Sequence, residues 1–558
     1  MEGDNGNSAV NNDTEVEWDT TFIQALGDHR FADALGILLQ QDANLIRPKC
    51  WDLITFFFFS RDEYEQLQAE RLEDYQQDDI PTVSNEIVDE QIIDDLLSNL
   101  TQHMTAKELL MVYLEIVTRI KSSSLFAQIV TSVTENLQTT PKFNKVRVIW
   151  SLEVIAGTLR ELAPPSDSQL ETAEERMLMD ATKEVRIIND RYRVLVRFLE
   201  TNLGFIRKQH PDAFNNTDRL QICSHTMKNL GSTLGLLDLS PPPAGKSPST
   251  QYTLAIRLGR ILNSFVDPIG ALYLSQCMRT KNSDDELVVG SISGAVFCYM
   301  VFCLSENFPR LYSPVVLAYL LQTFSLFLIT SAKSMHILKG LCLIKVALPY
   351  MGSTVEEDDI CMVRRLLRTL LQVMTSCSLK EARDSAMVCW KELFSRCPLD
   401  FRVDILISIF RSLEQPSVRG FLIDELRKVL RTCNNSVECH EIVKNVVFLP
   451  DGETTDLLDH SEHILSALNL LRYALRLKLV AKTPHLDKYI DDLKKGLELS
   501  RAHYELQLGI PEDNWAKRSS LWPNIPRDME KHVLSESINR LNLIEFVLGV
   551  VQSLYDSR

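Results

Sequence analysis

The stretch RRLLRTLLQVM, residues 364–374, indicates the fold class of the chain. Its apolar residues recur at four-residue intervals, with companions one position later: Leu366, Leu367, Leu370, Leu371 and Met374. This spacing places the apolar side chains on one face of a helix, whereas a strand would alternate them between two faces. The stretch therefore predicts an amphipathic helix that buries one face against a neighbour.

Helical patterns of this kind come in pairs along the second half of the chain. Pairs start near Ser313, Asp358 and Asp400, and each start opens two apolar-periodic segments. Their spacing of about 42 to 45 residues is typical of HEAT and armadillo repeats. With 20 glycines and 21 prolines in 558 residues, the chain is poor in the residues that tight sheet turns need. We predict an all-α fold, an irregular HEAT/armadillo-like helical repeat solenoid that offers an extended surface to a partner.

The charge of the chain is concentrated at its beginning. The whole sequence holds 59 Lys and Arg against 75 Asp and Glu, a net charge of -16. Residues 1–100 hold 23 acidic and 5 basic residues, so the remainder of the chain is close to neutral. Nucleic-acid binding depends largely on Lys and Arg that neutralise phosphates. Nucleic acid is therefore not expected as a partner.

Composition divides the chain into four parts. Residues 1–19 are acidic and polar and predict a disordered tail, and residues 20–237 predict an N-terminal helical repeat region. The segment DLSPPPAGKSPSTQ, residues 238–251, is rich in proline and small polar residues, which stop helices. We interpret it as a linker and domain boundary. Residues 252–558 then form a C-terminal HEAT-like repeat domain.

Four successive phenylalanines, Phe56–Phe59, cannot all lie on one face of a helix. One interpretation is a buried helix that contacts neighbours on two sides. The other is an exposed apolar patch that binds a partner. The sequence favours the buried helix.

Two uncharged stretches, residues 287–305 and 311–332, reach the length of a membrane span. Glu306 and Arg310 lie in the short connection between them, and Gln322 interrupts the second stretch. Helices that are apolar all round also occur at the centre of large helical proteins. We therefore expect buried helices and no membrane association, with a membrane-associated protein as the alternative.

The N-terminus and the cysteines favour a cytoplasmic protein. Residues 1–19 lack the basic and apolar regions of a signal peptide. The twelve cysteines contain no C-x-x-C pair and are typical of reduced thiols.

The sequence offers little for catalysis, metals or cofactors. Gly245-Lys246-Ser247 imitates the end of a P-loop, but Ser240 stands where that motif needs glycine. Histidines and cysteines around residues 433–463 lack the paired spacing of zinc ligands. Asp459 and Glu462 are better explained as a helix-start box. We expect no enzymatic activity, no metal and no cofactor.

Three segments of the C-terminal third carry a specific resemblance. They are FLPDGETTDLLDHSEHILSALNLLRYALRLK at 448–478, GLELSRAHYELQL at 496–508 and LWPNIPRDMEKHVLSESINRLNLIEFVLGVVQSL at 521–554. All three, in this order, resemble the glomulin family. The resemblance covers about residues 290–558 well, whereas the N-terminal half is similar mainly in its helical character.

This resemblance implies a HEAT-like inhibitor of cullin-RING ubiquitin ligases. In the family, the C-terminal repeats bind the RING-box subunit, alongside its cullin, and cover the surface that recruits the ubiquitin-conjugating enzyme. The zinc of such a complex belongs to the partner. We expect a monomer that acts without catalysis. The alternative is a general HEAT scaffold in signalling or vesicle traffic, unrelated to ubiquitin.

The matched helix from Ser461 to Lys478 supplies the candidate partner-binding residues. Arg472 and Arg476 lie four residues apart and form a basic ridge, with Tyr473 beside it. Arg and Tyr are frequent interface anchors. The alternative is that both arginines are solvated or pair with neighbouring repeats.

A second candidate pair is His503 and Tyr504 in the segment SRAHYE. The same alternative, a solvated or packed pair without a binding role, applies to it.

Overall fold

The computed structural model describes residues 12–557. It leaves out residues 75–89, 140–144, 163–169, 210–214, 243–246, 267–283, 305–312, 353, 356–358, 414, 431–435 and 509–526. The chain folds into two compact units. Unit 1 comprises Met1–Tyr350 with Ser378–Ala382, and unit 2 comprises Met351–Cys377 with Arg383–Arg558. The described residues form helices and connecting segments and contain no strand, so the predicted all-α repeat fold is confirmed.

The helices up to Tyr350 are numbered here in chain order. They are α1 Asn12–Gly27, α2 Phe31–Leu39, α3 Ala43–Ile46, α4 Cys50–Asp74, α5 Glu90–Thr101, α6 Ala106–Val117, α7 Ser123–Thr139, α8 Lys145–Glu161, α9 Ala173–Met179, α10 Lys183–Gln209, α11 Asn216–Leu236, α12 Thr250–Phe265, α13 Asp284–Tyr299, α14 Pro314–Ile329 and α15 Ser334–Ala347. Several begin at capping boxes, in which a side chain at the helix start and one three residues later satisfy each other's backbone N–H groups. Thr105 with Glu108 and Asn215 with Asp218 are two such boxes.

The phenylalanine run lies in α4 and is part of the core of unit 1. Phe57 and Phe58 are fully buried, and their rings pack edge to face at 5.2 Å. Phe57 also contacts Phe31 of α2, and Phe58 contacts Tyr113 of α6. Neighbours on two sides thus cover the run, which confirms the buried interpretation.

The Pro-rich segment does not separate the two units, contrary to the boundary drawn at 238–251. Helices on both sides of it belong to unit 1, and α12 packs against α10 and α11. Leu237 and Leu239 at its start are buried in the same apolar core. The division falls instead between Tyr350 and Met351. The prolines end a helix, but the chain continues within one core.

A buried charged network holds the start of this segment. Arg176, which is 8% exposed, forms an ion pair with Asp238 at 3.0 Å and donates a hydrogen bond to Ser240 Oγ at 2.8 Å. Burial and the nearby Asp238 raise the pKa of Asp180 to about 6. Buried ionic groups persist only when they are paired. The segment is therefore anchored by specific partners.

Lys339 of α15 also holds this region. Its buried ammonium group donates to the carbonyl oxygens of Gly235 at 2.8 Å and Leu237 at 2.7 Å. The last carbonyls of a helix lack partners within that helix and favour a positive charge. Lys339 thus caps α11 where the Pro-rich segment begins.

Part of the predicted N-terminal tail is helical. Residues 1–11 lie outside the described residues, but α1 begins at Asn12. Trp18 is buried, and Lys49 lies 5.5 Å from its ring centroid. Lys49 also pairs with Asp19 at 2.7 Å. An aromatic anchor therefore ties the end of the predicted tail to the core.

The remaining helices are α16 Ile360–Ser376, α17 Lys380–Ser395, α18 Leu399–Ser412, α19 Pro416–Leu430, α20 Ser436–Val446, α21 Ser461–Arg476, α22 Pro484–Leu508 and α23 Arg527–Asp556. The predicted repeat starts are confirmed: α14, α16 and α18 begin within two residues of Ser313, Asp358 and Asp400. Gly420 of α19 allows the close approach of α21. A Cβ atom there would lie 2.9 Å from the carbonyl oxygen of Glu462.

His463 of α21 lies in the core of unit 2 and is fully buried. Its Nε2 lies 3.2 Å from the carbonyl oxygen of Val446, and its ring packs against Phe410 and Phe448. Burial, which disfavours the charged ring, lowers the pKa of His463 to about 4.

None of the described helices is long and apolar enough to cross a membrane. Within the described ranges, no group of three or more His, Cys, Asp and Glu side chains is placed to hold a metal ion. Gly245 and Lys246 of the P-loop-like sequence lie outside the described residues.

We predict that a fragment of residues 351–558 folds alone, whereas one of residues 252–558 does not remain monomeric. The longer fragment keeps α12 and α13 but lacks α10 and α11, so it exposes fully buried side chains such as Leu258 and Phe297. Circular dichroism and size-exclusion chromatography of both fragments test this. A monomeric 252–558 fragment beside an aggregated 351–558 fragment would restore the boundary at the Pro-rich segment.

We also predict that His463 makes stability depend on pH. Its pKa is lowered in the folded state, so its contribution is fully present above pH 6.5 and is lost as the pH falls towards about 4. The loss amounts to about 3 kcal/mol at most. His463→Gln keeps a donor for the Val446 carbonyl but does not titrate. In urea denaturation, the free energy of unfolding of the His463→Gln variant should decline less between pH 6.5 and about 4 than that of the parent chain. Equal slopes would contradict the assignment.

Candidate partner-binding surface

Three helices of unit 2 carry the segments that resemble the glomulin family. Helix α21 packs against α19 and α23, and α22 packs against α23. Arg501 of α22 donates a hydrogen bond to Asn542 of α23 at 2.7 Å and forms an ion pair with Glu545. The three segments are separate in sequence, and the fold brings them into one packed group.

Helix α21 begins differently from the sequence prediction. The predicted box of Asp459 and Glu462 is not formed, because the helix starts at Ser461 and no side chain caps it. Instead, Asp456 Oδ1 accepts hydrogen bonds from the backbone N–H groups of Leu458 and Asp459. The carboxylate of Asp456 therefore stabilises the turn that precedes α21.

The predicted basic ridge lies on the outer side of α21. Arg472 is half-buried and Arg476 is exposed. Neither has a hydrogen bond or ion pair with any residue that the structure describes. Tyr473 between them is half-buried and makes a contact of its own. The ridge therefore presents two arginines available for an external acidic or polar group.

The end of α21 extends this surface. Leu477 is 51% exposed, and the exposed Lys478 has a positive φ of 58°. A left-handed residue of this kind ends a helix and turns the chain. The ridge thus ends in an exposed apolar side chain and a third positive charge.

The second predicted pair lies on α22. His503 is exposed and Tyr504 is half-buried, and their rings pack edge to face at 5.3 Å. Burial raises the pKa of Tyr504, and the carboxylates of Asp456 and Asp459 raise it further. The phenol therefore stays neutral at ordinary pH and can donate a hydrogen bond.

The structure does not bring the two predicted pairs together. The electrostatic effect of Asp456 and Asp459 on Tyr504 places that residue near the start of α21. Arg472 and Arg476 lie in the last turns of the same helix. At 1.5 Å per residue, 11 to 15 residues of helix correspond to about 17–22 Å. The ridge and the His503–Tyr504 pair are thus two separate features.

Sequence reasoning missed several exposed apolar side chains on α22 and α23. On α22, Leu499 is 59% and Leu506 is 71% exposed; on α23, Leu543 is 51% and Phe546 is 70% exposed. The buried stripe of α23 gives the signal that could have found Phe546. It includes Leu541, Ile544 and Leu548, and residues two positions away from such a stripe point outward.

The exposed leucines of α22 point away from α23. Arg501 faces α23, and at about 100° per residue Leu499 and Leu506 lie roughly 200° and 140° around the helix from it. They form an apolar patch on α22, which is distinct from the patch formed by Leu543 and Phe546 on α23.

Comparisons with known proteins place these features in context. No family model matches the chain. Glomulin from Homo sapiens is 25% identical over 218 residues, which cover 34% of this chain and 36% of that protein. Glomulin from Mus musculus is 23% identical over 321 residues, which cover 50% of this chain and 52% of the relative. The matches thus span about a third and about half of the length of these relatives.

Among solved structures, one match is a circular tandem repeat protein with novel repeat topology and enhanced subunit contact surfaces. The match covers 97% of this chain and 90% of that protein's chain. It has 12% sequence identity and a TM-score of 0.17. The two glomulin relatives confirm the resemblance seen in the sequence: the chain is similar to glomulin over part of its length, and it is built from helices in repeated pairs.

Proposed function

We propose that the chain is a non-catalytic inhibitor that binds the RING-box subunit of cullin-RING ubiquitin ligases. It would cover the surface that recruits the ubiquitin-conjugating enzyme. The observation that carries this proposal is the packing of the three glomulin-like segments into one group of helices, α21, α22 and α23. The same group holds the arginine ridge and the exposed apolar patches.

The composition of this group supports binding to a protein surface. Interface hot spots are enriched in aromatic residues and arginine. Phe546 is 70% exposed although a large aromatic side chain gains most from burial. Arg472 and Arg476 supply planar donors for carboxylates or backbone carbonyls of a partner. A partner protein that covers Phe546 and pairs with the two arginines would bury the exposed ring and supply acceptors for the guanidinium groups.

Occlusion requires no chemistry from the chain itself. A protein that sits on the RING surface prevents the conjugating enzyme from reaching the same place, so the two binding events exclude each other. The inhibitor then lowers the rate of ubiquitin transfer in proportion to the occupied fraction of RING. This mechanism differs from allostery, in which both proteins bind at once.

We predict competition between the chain and the conjugating enzyme. In a reconstituted ubiquitylation assay with purified cullin and RING-box subunit, raising the concentration of conjugating enzyme should relieve inhibition. The concentration of chain that gives half inhibition should rise in proportion. Inhibition that stays constant at saturating conjugating enzyme would contradict occlusion.

We also predict that two surface variants weaken binding to the RING-box subunit. The variants are the double reversal Arg472→Glu with Arg476→Glu, and Phe546→Asp. Loss of an interface anchor costs about 1–3 kcal/mol, and 1.4 kcal/mol is tenfold. Calorimetry should therefore show a Kd that is higher by about tenfold or more for each variant.

Two matched controls separate a binding effect from a folding effect. Arg365→Glu reverses an exposed arginine on α16, and Val388→Asp places a charge at a 57% exposed apolar position on α17. Both should bind like the parent chain. If all variants keep wild-type melting temperatures and the ridge and Phe546 variants also keep wild-type affinity, these residues do not belong to the interface.

The general scaffold remains the second candidate from the sequence. Purified RING-box subunit with its cullin distinguishes the two, because a scaffold unrelated to ubiquitin does not retain this pair in a pulldown.

A further inference from the structure

A cleft in unit 1 lies between the C-terminal halves of α10 and α12 and plays no part in the function proposed above. Its volume is about 520 Å³. Glu200, Leu203, Gly204 and Arg207 face it from α10, at the spacing of one helix face. Residues at the same spacing, from Arg257 to Ser264, face it from α12. The two helices pack against each other, so the cleft is a groove with two regular walls.

The rim of the groove is basic. Of the described residues that line it, three are arginines and one, Glu200, is acidic. Glu200 is already paired, since Arg257 Nε donates to its Oε1 at 2.6 Å. This hydrogen bond raises the pKa of Arg257. Arg207 and Arg260 are exposed, and within the described part of the chain neither has a hydrogen bond or ion pair. Two positive charges therefore remain for a ligand.

Helix stability does not account for both arginines. Arg207 lies in the last turn of α10, where a positive charge favours the helix dipole. Arg260 lies five residues before the end of α12, beyond the turn over which that effect acts. Its position on the groove side of α12 has no such explanation.

The floor of the groove is apolar. Leu203, Ile261 and Phe265 line it, with exposed fractions of 3%, 9% and 6%. A small inorganic anion would use the arginines but not this floor. A nucleic-acid backbone, which is polar along its length, would likewise leave the apolar floor unused. An apolar side chain flanked by carboxylates would use both the floor and the rim.

We propose that this groove binds an acidic peptide segment of a partner protein, with one apolar side chain inserted between α10 and α12. The carboxylates on either side of that anchor pair with Arg207 and Arg260. Charge complementarity favours such a ligand, because Glu200 is already paired with Arg257 and the two other arginines leave the groove positive.

Gly204 provides a direct way to block the groove. A Cβ atom added there meets nothing within 4 Å, so a larger side chain can begin at this position and extend towards the cleft. Leucine also favours a helix over glycine, so Gly204→Leu should fold at least as well as the parent chain. Gly259→Leu is the matched control. A Cβ atom at Gly259 also meets nothing within 4 Å, but this residue lies about 200° around α12 from Ile261.

The test measures fluorescence anisotropy of a short labelled peptide of glutamates around one phenylalanine, titrated with the full chain. We expect saturable binding to the parent and to Gly259→Leu. Gly204→Leu, and the double variant Arg207→Glu with Arg260→Glu, should each lose about tenfold or more in affinity. A peptide with serine in place of phenylalanine should also bind more weakly.

Three results would overturn the proposal. The first is no saturable binding to the parent chain. The second is equal affinity for the parent and Gly204→Leu, which would place the peptide elsewhere. The third is a sign that the arginines alone explain the affinity. Equal binding of the serine and phenylalanine peptides, or complete displacement by inorganic phosphate at the peptide's own concentration, would be such a sign.

Discussion

The structure depends on one constraint: the apolar face of each helix can be buried only against other helices. The described part of the chain contains no sheet that could cover such a face. Helix α16 illustrates this, because Val363, Leu366, Leu367, Leu370 and Leu371 are all buried along one side. Burial of apolar area is the main favourable term in folding. Each helix therefore stabilises its neighbours, and removing one exposes the next.

The sequence predicts the helices and their buried faces well where the apolar periodicity is strong. The leucine pattern of residues 364–374 and the repeat starts near Ser313 and Asp400 became helices at the expected places. The run Phe56–Phe59 was correctly interpreted as buried, because a helix cannot place four consecutive rings on one side. Local spacing determines these features, and local spacing is visible in a single sequence.

The domain boundary was not predictable in the same way. Proline content reports where a helix must stop, but it says nothing about which side chains lie next to the break. Arg176 reaches Asp238 across 62 residues, and Lys339 reaches Gly235 across 104. These contacts hold the Pro-rich segment inside unit 1, and no local pattern in the sequence predicts them. The separation of Arg472 from Tyr504 likewise depends on how distant helices pack.

The central claim is that the group of α21, α22 and α23 binds the RING-box subunit. Amide hydrogen exchange of the full chain, with and without that subunit, tests it most directly, because a bound surface exchanges more slowly. The account predicts slower exchange in peptides from residues 461–508 and 527–556. Slower exchange confined to residues 12–350, or no change on adding the subunit, would contradict it.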